Sequence, residues 1–348
     1  MAPWMVLTWA CSLEPSATAR DLISVHNGGM DATRPTLDDI RDAATRIAPH
    51  VHRTPVLTCG AIDSAAGMEI FLKCENFQKV GAFKARGACN AVMGLDDATA
   101  ARGVVTHSSG NHAQALAWAA GLRGIPAHIV MPSNAPAIKR RAVEDYGGIV
   151  HECEPTVKDR EENATRVCEE TGGTLIPPYD DPRIIAGQGT CALELLAQVP
   201  DLDAIICPVG GGGMLSGTAI ATNALSPETT VYAAEPERAD DAFRSKASGK
   251  IEPMENPDTI ADGLRTTLGE HTFPVIRDLV KDVLLVSEAQ IAAAMRLVME
   301  RAKIVVEPSG AVGVAAACAD TFSQHQRVGI IVTGGNIDLD ELPKLLQS

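Results

Sequence analysis

The chain has no surplus of positive charge, no paired cysteines and no long apolar run. Acidic residues number 44 against 30 Lys and Arg, a formal net charge of −14 at pH 7, and no Lys/Arg-rich block interrupts the excess. A footprint on nucleic acid and a basic patch for anionic lipid are both excluded. None of the nine cysteines (Cys11, Cys59, Cys74, Cys89, Cys153, Cys168, Cys191, Cys207, Cys318) forms a C-x-x-C pair. Their odd number and their placement in runs such as "AIICPV" suit small core residues in a reducing, cytoplasmic setting, and argue against disulfides or a zinc site. No stretch approaches 18 uninterrupted apolar residues, so no membrane span is expected. The start, "MAPWMVLTWACSLEPSATARD", has a short apolar run with no basic segment before it. Residues 1–34 therefore read as a tail and not a signal peptide. Repeats, heptads and low-complexity segments are also missing.

What is present is an alternation. The folded unit begins near residue 34, where Thr36 can cap a helix with Asp38 and Asp39 in its first turn. Short β-branched runs then precede helical patterns: "GVVTHSS" before "NHAQALAWAAGL", "AHIVMP" before "APAIKRRAVEDYG", "AIICPV" before "MLSGTAIATNAL", "VYAAEP" before "RADDAFRSKASG", with "VGIIVTGG" near the end. Ser287 and Gln290 form a capping box ahead of Ile291, Ala294, Met295, Val298, Met299 and Ala302 on one helical face. This order predicts βαβ units, a mostly parallel sheet and helices on both faces. Ligands of such sheets bind beyond the carboxyl ends of the strands. The chemistry is therefore expected in "SSGNHA" (108–113), "GGGGML" (210–215) and "TGGN" (333–336).

Four glycines, Gly210 to Gly213, between a strand and a helix start suit close approach of an anion, most naturally a phosphate. The P-loop G-K-[ST] is absent, and G-x-G-x-x-G is not matched in any register. Glu235 nevertheless stands where a ribose-binding acid would fall, so a dinucleotide oxidoreductase remains a rival on these residues alone. Lys84, in "VGAFKARGACNAV", shifts the balance. A lysine flanked by small residues can be reached by a planar aldehyde and form a Schiff base. Pyridoxal 5′-phosphate (PLP) needs an imine lysine, a phosphate cradle, a partner near the pyridine nitrogen and a donor near the ring hydroxyl. Lys84, the glycines, Thr333 and Asn111 could supply these.

The segments "VGAFKARGACNAV", "VVTHSSGNHAQALA", "IAGQGTCALELL", "PVGGGGMLSG", "YAAEPERADD", "TIADGLRTTLG", "VVEPSGAVGVAA" and "VTGGNID", in this order over residues 36–340, resemble the serine racemase and serine/threonine dehydratase family of PLP enzymes. Within it they look most like serine racemases and threo-3-hydroxyaspartate dehydratases. The resemblance implies an α/β, fold-type II architecture of the tryptophan synthase β kind: two doubly wound open-sheet domains with the cofactor between them. Residues 35–100 and 182–348 would form the large domain, and 101–181 the small one carrying the substrate loop. No C-terminal regulatory domain of the biosynthetic threonine dehydratase kind is expected.

Lys84 would carry the cofactor and act as base on one face of the substrate, and Phe83 would pack against the ring. Asn111 would meet the ring hydroxyl, Gly210, Gly211, Gly212, Gly213 and Met214 the phosphate, and Thr333 the pyridine nitrogen. Ser108, Ser109, Asn111 and His112 would hold the substrate carboxylate, with Ser109 the acid/base on the face opposite Lys84. Glu307 is expected to be buried near the ring. A hydroxyl such as Thr333 cannot keep the ring nitrogen protonated as a carboxylate would, which suits proton exchange or prompt loss of a β-hydroxyl.

Glu235 and Asp241 in "EPERADD" are hard oxygen ligands six residues apart. The resemblance adds the Ala239 carbonyl and implies Mg²⁺, Ca²⁺ or Mn²⁺ there, which also removes the support Glu235 lent to a dinucleotide. Arg160 matches an arginine of the resembled family that approaches the substrate carboxylate; for His107 and His112, in the substrate loop, a hydrogen-bonded structural role is the alternative. Tyr179 replaces the asparagine of animal serine racemases. It leaves open the ratio of racemisation to elimination and any activation by ATP. The expected enzyme is a homodimer acting on small β-hydroxy amino acids, serine first. Threo-3-hydroxyaspartate or threonine is the alternative, with Arg160 or Arg265 available for a second carboxylate.

Overall fold

The first helix, Leu37–Ile47, starts as expected. Thr36 Oγ1 accepts from the Asp39 amide at 3.3 Å, and the Asp39 carboxylate accepts from the Thr36 amide at 2.8 Å. This reciprocal cap satisfies N–H groups that any helix start leaves without partners. The structure is a computed structural model that describes residues 34–347 except 136, 320, 321, 323 and 324. The expected tail thus lies, Arg34 apart, outside the described residues.

Ten strands are found among the described residues: β1 (Val56–Leu57), β2 (Glu69–Cys74), β3 (Val104–His107), β4 (Ala127–Pro132), β5 (Ile149–Cys153), β6 (Thr174–Leu175), β7 (Ala204–Pro208), β8 (Thr230–Pro236), β9 (Val283–Val286) and β10 (Arg327–Val332). They form a six-stranded sheet ordered β1-β2-β10-β7-β8-β9 and a four-stranded sheet ordered β5-β4-β3-β6. Every pairing is parallel except β1 with β2. Side chains alternate along the central strands. Ile206, Tyr232, Ala234, Ile330 and Val332 pack on one face, against Val312 and Ile291. Ile205, Cys207, Val231, Ala233 and Ile331 pack on the other, against Leu195 and Leu215. A sheet covered on both faces needs such near-continuous apolar strands. The capping box at Ser287 and Gln290 is present. The helix it opens, Glu288–Leu297, runs into a π turn, Val298–Ala302, that ends on Lys303 with φ of +61°.

The helix Lys84–Met93 begins at the candidate lysine. Its small residues have a packing reason beyond access for an aldehyde. A Cβ on Gly87 would lie 3.0 Å from the Ile184 carbonyl, and one on Gly187 would lie 2.7 Å from the Gly87 Cα. The helix is thereby pressed onto Pro182–Gln198. A buried charge network, reached from this helix by Arg86, also holds it there. Arg86 donates to Glu75 at 2.7 and 2.9 Å and to Glu194 at 2.8 and 2.9 Å. Lys73 donates to Glu194 at 2.6 Å and to Gln198 at 2.8 Å. Two cations and two carboxylates balance, and Lys73, Glu75 and Arg86 are fully buried.

Candidate active site

The loops after β2, β3 and β10 are joined by hydrogen bonds. The Phe83 amide donates to the Thr333 carbonyl at 3.0 Å, and the Gly335 amide to Gly81 at 3.0 Å. Asn111, first residue of the helix Asn111–Arg123, donates to both Glu307 oxygens at 2.9 and 3.2 Å. Glu307 is buried as expected, and lies so close to Gly334 that a Cβ there would be 2.4 Å from its Oε1. Burial, with Asp262 nearby, pushes the Glu307 carboxyl up to about 7 against the pull of Asn111. Lys84 Nζ donates to the Pro178 carbonyl at 2.7 Å and stands 5.0 Å from the Phe83 ring centre. Burial brings its ammonium down to about 8, partly opposed by Glu307. An amine at that value has a usable neutral fraction near physiological pH.

The turn after β6 connects Lys84 to the glycine loop. Tyr179, next to Pro178, lays its ring on Gly211, where an added Cβ would be 2.3 Å from three ring atoms. Asp180 anchors this turn by accepting from the amides of Glu270, His271 and Thr272 at 2.9, 2.8 and 3.2 Å. The four glycines therefore answer to protein neighbours as well as to any anion. Gly212 takes a φ of +90° and Gly213 backs onto the Tyr179 carbonyl. The loop still opens the helix Gly213–Leu225, whose first internal bond runs from the Ser216 amide to Gly212. The amides of Gly213, Met214 and Leu215 have no acceptor within that helix.

Thr333 supplies the clearest fit to a cofactor. Its hydroxyl oxygen is buried and has no hydrogen-bond partner among the described residues. A buried hydroxyl left unpaired costs free energy, and a ring nitrogen would pair it. With the helix-start amides, Lys84 and Asn111, the residues present suit a phosphorylated pyridine aldehyde.

The other candidates are placed as follows. Ser108, Ser109 and Gly110 are half-buried between β3 and Asn111. His112 is buried with Nε2 at 3.0 Å from the Ile176 carbonyl. Burial, with Lys84 nearby, lowers its pKa to about 3, so it is neutral. Arg160, on Val157–Thr171, bonds the Thr156 carbonyl at 3.3 Å and lies near enough to His107 to oppose its protonation. Arg265 bonds the Thr259 carbonyl at 3.0 Å.

Glu235 ends β8 and is fully buried. Its oxygens accept from the Ala242 and Phe243 amides, both at 2.9 Å. Asp241 Oδ2 accepts from the Leu268 amide at 3.0 Å, while its Oδ1 is buried without a partner. Burial raises Glu235 to about 9, with Asp241 adding to it, and burial raises Asp241 to about 7. Ala239 is buried between them in sequence. Two neighbouring carboxylates with an orphan oxygen fit a divalent cation completed by a carbonyl and waters.

Comparison with known proteins gives the class. The profile of the pyridoxal-phosphate dependent enzymes matches residues 47–334; this chain belongs to that family and is a PLP-dependent enzyme. Its fold is fold-type II, and the dinucleotide reading falls. The beta-hydroxyaspartate dehydratase of Paracoccus denitrificans is 52% identical over 310 residues, covering 89% of this chain and 98% of that protein. The serine racemase of Oryza sativa subsp. indica is 52% identical, covering 88% of this chain and 92% of its own. The solved structure of maize serine racemase superposes with a TM-score of 0.87 at 52% identity, covering 90% of this chain and 97% of that one.

Proposed function

We propose that this enzyme racemises serine and removes water from it to give pyruvate and ammonia, using one site for both. The observation that carries this is the convergence of a partly buried Lys84, with its pKa brought down to about 8, on Asn111, Glu307 and the orphan hydroxyl of Thr333. PLP, when bound, withdraws electrons from the substrate and makes its Cα proton labile. Lys84 takes or returns that proton on one face, and the Ser109 hydroxyl does so on the other. Phe83 packs on the ring. Asn111 faces the ring hydroxyl, Gly210 to Gly213 and Met214 hold the phosphate, and Thr333 meets the ring nitrogen without charging it. Ser108, Ser109, Asn111, His112 and Arg160 receive the substrate carboxylate; neutral His112 does so only as a hydrogen-bonding group.

The two sheets support a large domain at 35–100 and 182–348 and a small one at 101–181. Glu235, Asp241 and the Ala239 carbonyl bind Mg²⁺, Ca²⁺ or Mn²⁺. All eight cysteines among the described residues are free, which suits the cytoplasm. Exposed Phe77 and Val305 suit a homodimer. No described helix is long and apolar enough to cross a membrane.

The 52% identity to a beta-hydroxyaspartate dehydratase favours a second reading, ammonia-lyase action on threo-3-hydroxyaspartate or threonine, with Arg160 taking the extra carboxylate. Turnover of L-serine, L-threonine and threo-3-hydroxyaspartate, with and without ATP, separates these. D-serine and pyruvate from L-serine are expected. If L-serine yields neither, while 3-hydroxyaspartate is consumed, the first reading fails and the second stands.

A further inference from the structure

Val80 is the most strained residue near the site. It is β-branched, yet its backbone takes φ of +54° and ψ of 17°, a region such residues almost never enter. Gly81 follows with φ of +69°, and then Ala82, Phe83 and Lys84. Strain of this kind persists only where surrounding contacts enforce it. Here Asn336 does so. Its side-chain Nδ2 donates to the Val80 carbonyl at 2.7 Å. Its Oδ1 fills the space where a Gly81 Cβ would stand, 2.4 Å away.

The same Nδ2 donates to Asn111 Oδ1 at 2.9 Å, and this fixes a direction. A backbone carbonyl can only accept, so Asn336 must turn its NH2 toward Val80. That NH2 also meets Asn111, which must therefore present its oxygen to Asn336. The NH2 of Asn111 is left to face Glu307, as its contacts at 2.9 and 3.2 Å show. One backbone carbonyl thus sets the polarity of a chain running Val80, Asn336, Asn111, Glu307.

We propose that Asn336 is a positioning residue: its side-chain amide fixes the direction in which Asn111 presents its own amide, and holds the strained turn that delivers Lys84. This rests on the assignment of Lys84 and Asn111 to PLP. Asn336 itself need touch neither substrate nor cofactor.

The change Asn336→Asp keeps the shape and reverses the logic. An ionised Asp at 336 sets acceptors against the Val80 carbonyl and Asn111 Oδ1. Asn111 then turns over and offers its oxygen to Glu307, which must hold a proton to meet it. Glu307 is also faced by Lys84, Asp262 and Lys139, all unchanged by the substitution.

The test titrates PLP into wild-type and variant apoprotein, follows binding and the imine absorbance across pH, and records thermal melting. The Asp variant should bind PLP about tenfold or more weakly, and the pH at which its imine absorbance changes should move. Turnover of L-serine should fall more in kcat than KM rises. Asn336→Ser keeps one donor and should show a smaller loss of the same sign; it supplies the reading if the Asp variant fails to fold. Folded variants with wild-type affinity, absorbance and pH behaviour overturn the proposal. Wild-type protein that takes up no PLP overturns the cofactor assignment beneath it instead.

Discussion

Replacing Glu194 by Gln should be among the most damaging changes that keep a side chain's shape. Glu194 accepts three charge-assisted bonds, from Lys73 at 2.6 Å and from Arg86 at 2.8 and 2.9 Å. Gln can accept but also brings a donor, which must face Lys73 or Arg86. It removes one of the two negative charges that balance two fully buried cations. Breaking a buried pair costs roughly 3–5 kcal/mol. The Glu194 side chain is 19% exposed, so water screens part of the loss and the lower figure, about 3 kcal/mol, applies. An unfolding entropy of about 2.1 cal/mol/K per residue over 348 residues gives roughly 0.7 kcal/mol/K, so Tm should fall by about 4–5 °C. The control is Glu170→Gln. Glu170 pairs with Arg166 one helical turn away at 2.8 Å, with side chains 48% and 55% exposed. Such a pair contributes about 0.5 kcal/mol or less, and Tm should move by about 1 °C or less. Thermal melts followed by circular dichroism, at low and high salt, make the comparison. The buried deficit should persist in salt, which screens exposed pairs far more. Equal shifts for the two variants would refute the reasoning.

Three further outcomes follow. Gly211→Ala should displace the Tyr179 ring, cost roughly 1–3 kcal/mol as overpacking does, and weaken PLP binding measured by titration; an unchanged melt and affinity would show that the ring moves freely. Mg²⁺ at about a hundred times its dissociation constant should add about 2.7 kcal/mol of stability, and Asp241→Asn should abolish the gain; identical melts in Mg²⁺ and in chelator would remove the metal site. Burial alone would raise Glu75, but the Arg86 guanidinium holds it below its ordinary value of 4.5. A depressed carboxylate lends stability above its unfolded value, and that share is lost as pH falls below about 4.5. Tm of the wild type should therefore drop more steeply from pH 5 to 3 than that of Glu75→Gln; parallel curves would contradict this.

The sheet was legible because its strands carry their signal locally. "AHIVMP" and "VYAAEP" are apolar on both faces and are followed by helical periods, which a doubly covered parallel sheet demands. The glycine loop was legible because four glycines follow β7; Lys84 stood out by its small neighbours, and Glu307 was expected only through the family resemblance. The rest depends on contacts that span the chain. Glu194 meets Lys73 and Arg86 from more than a hundred residues away, and only the oddity of charges within "FLKCEN" hints at it. Asn336 reaches Val80 across 256 positions. The Val80 conformation runs against its own local preference, so no reading of propensity could find it. The small residues after Lys84 were legible as a feature, but their packing against Pro182–Gln198 was not.

The account depends most on Lys84 as the residue that bears the cofactor. Reducing the PLP-loaded protein with borohydride, digesting it and mapping the pyridoxyl mass by peptide sequencing tests this directly. The label should sit on Lys84 alone. A label on Lys73, Lys79 or any other lysine, or none at all, would contradict it.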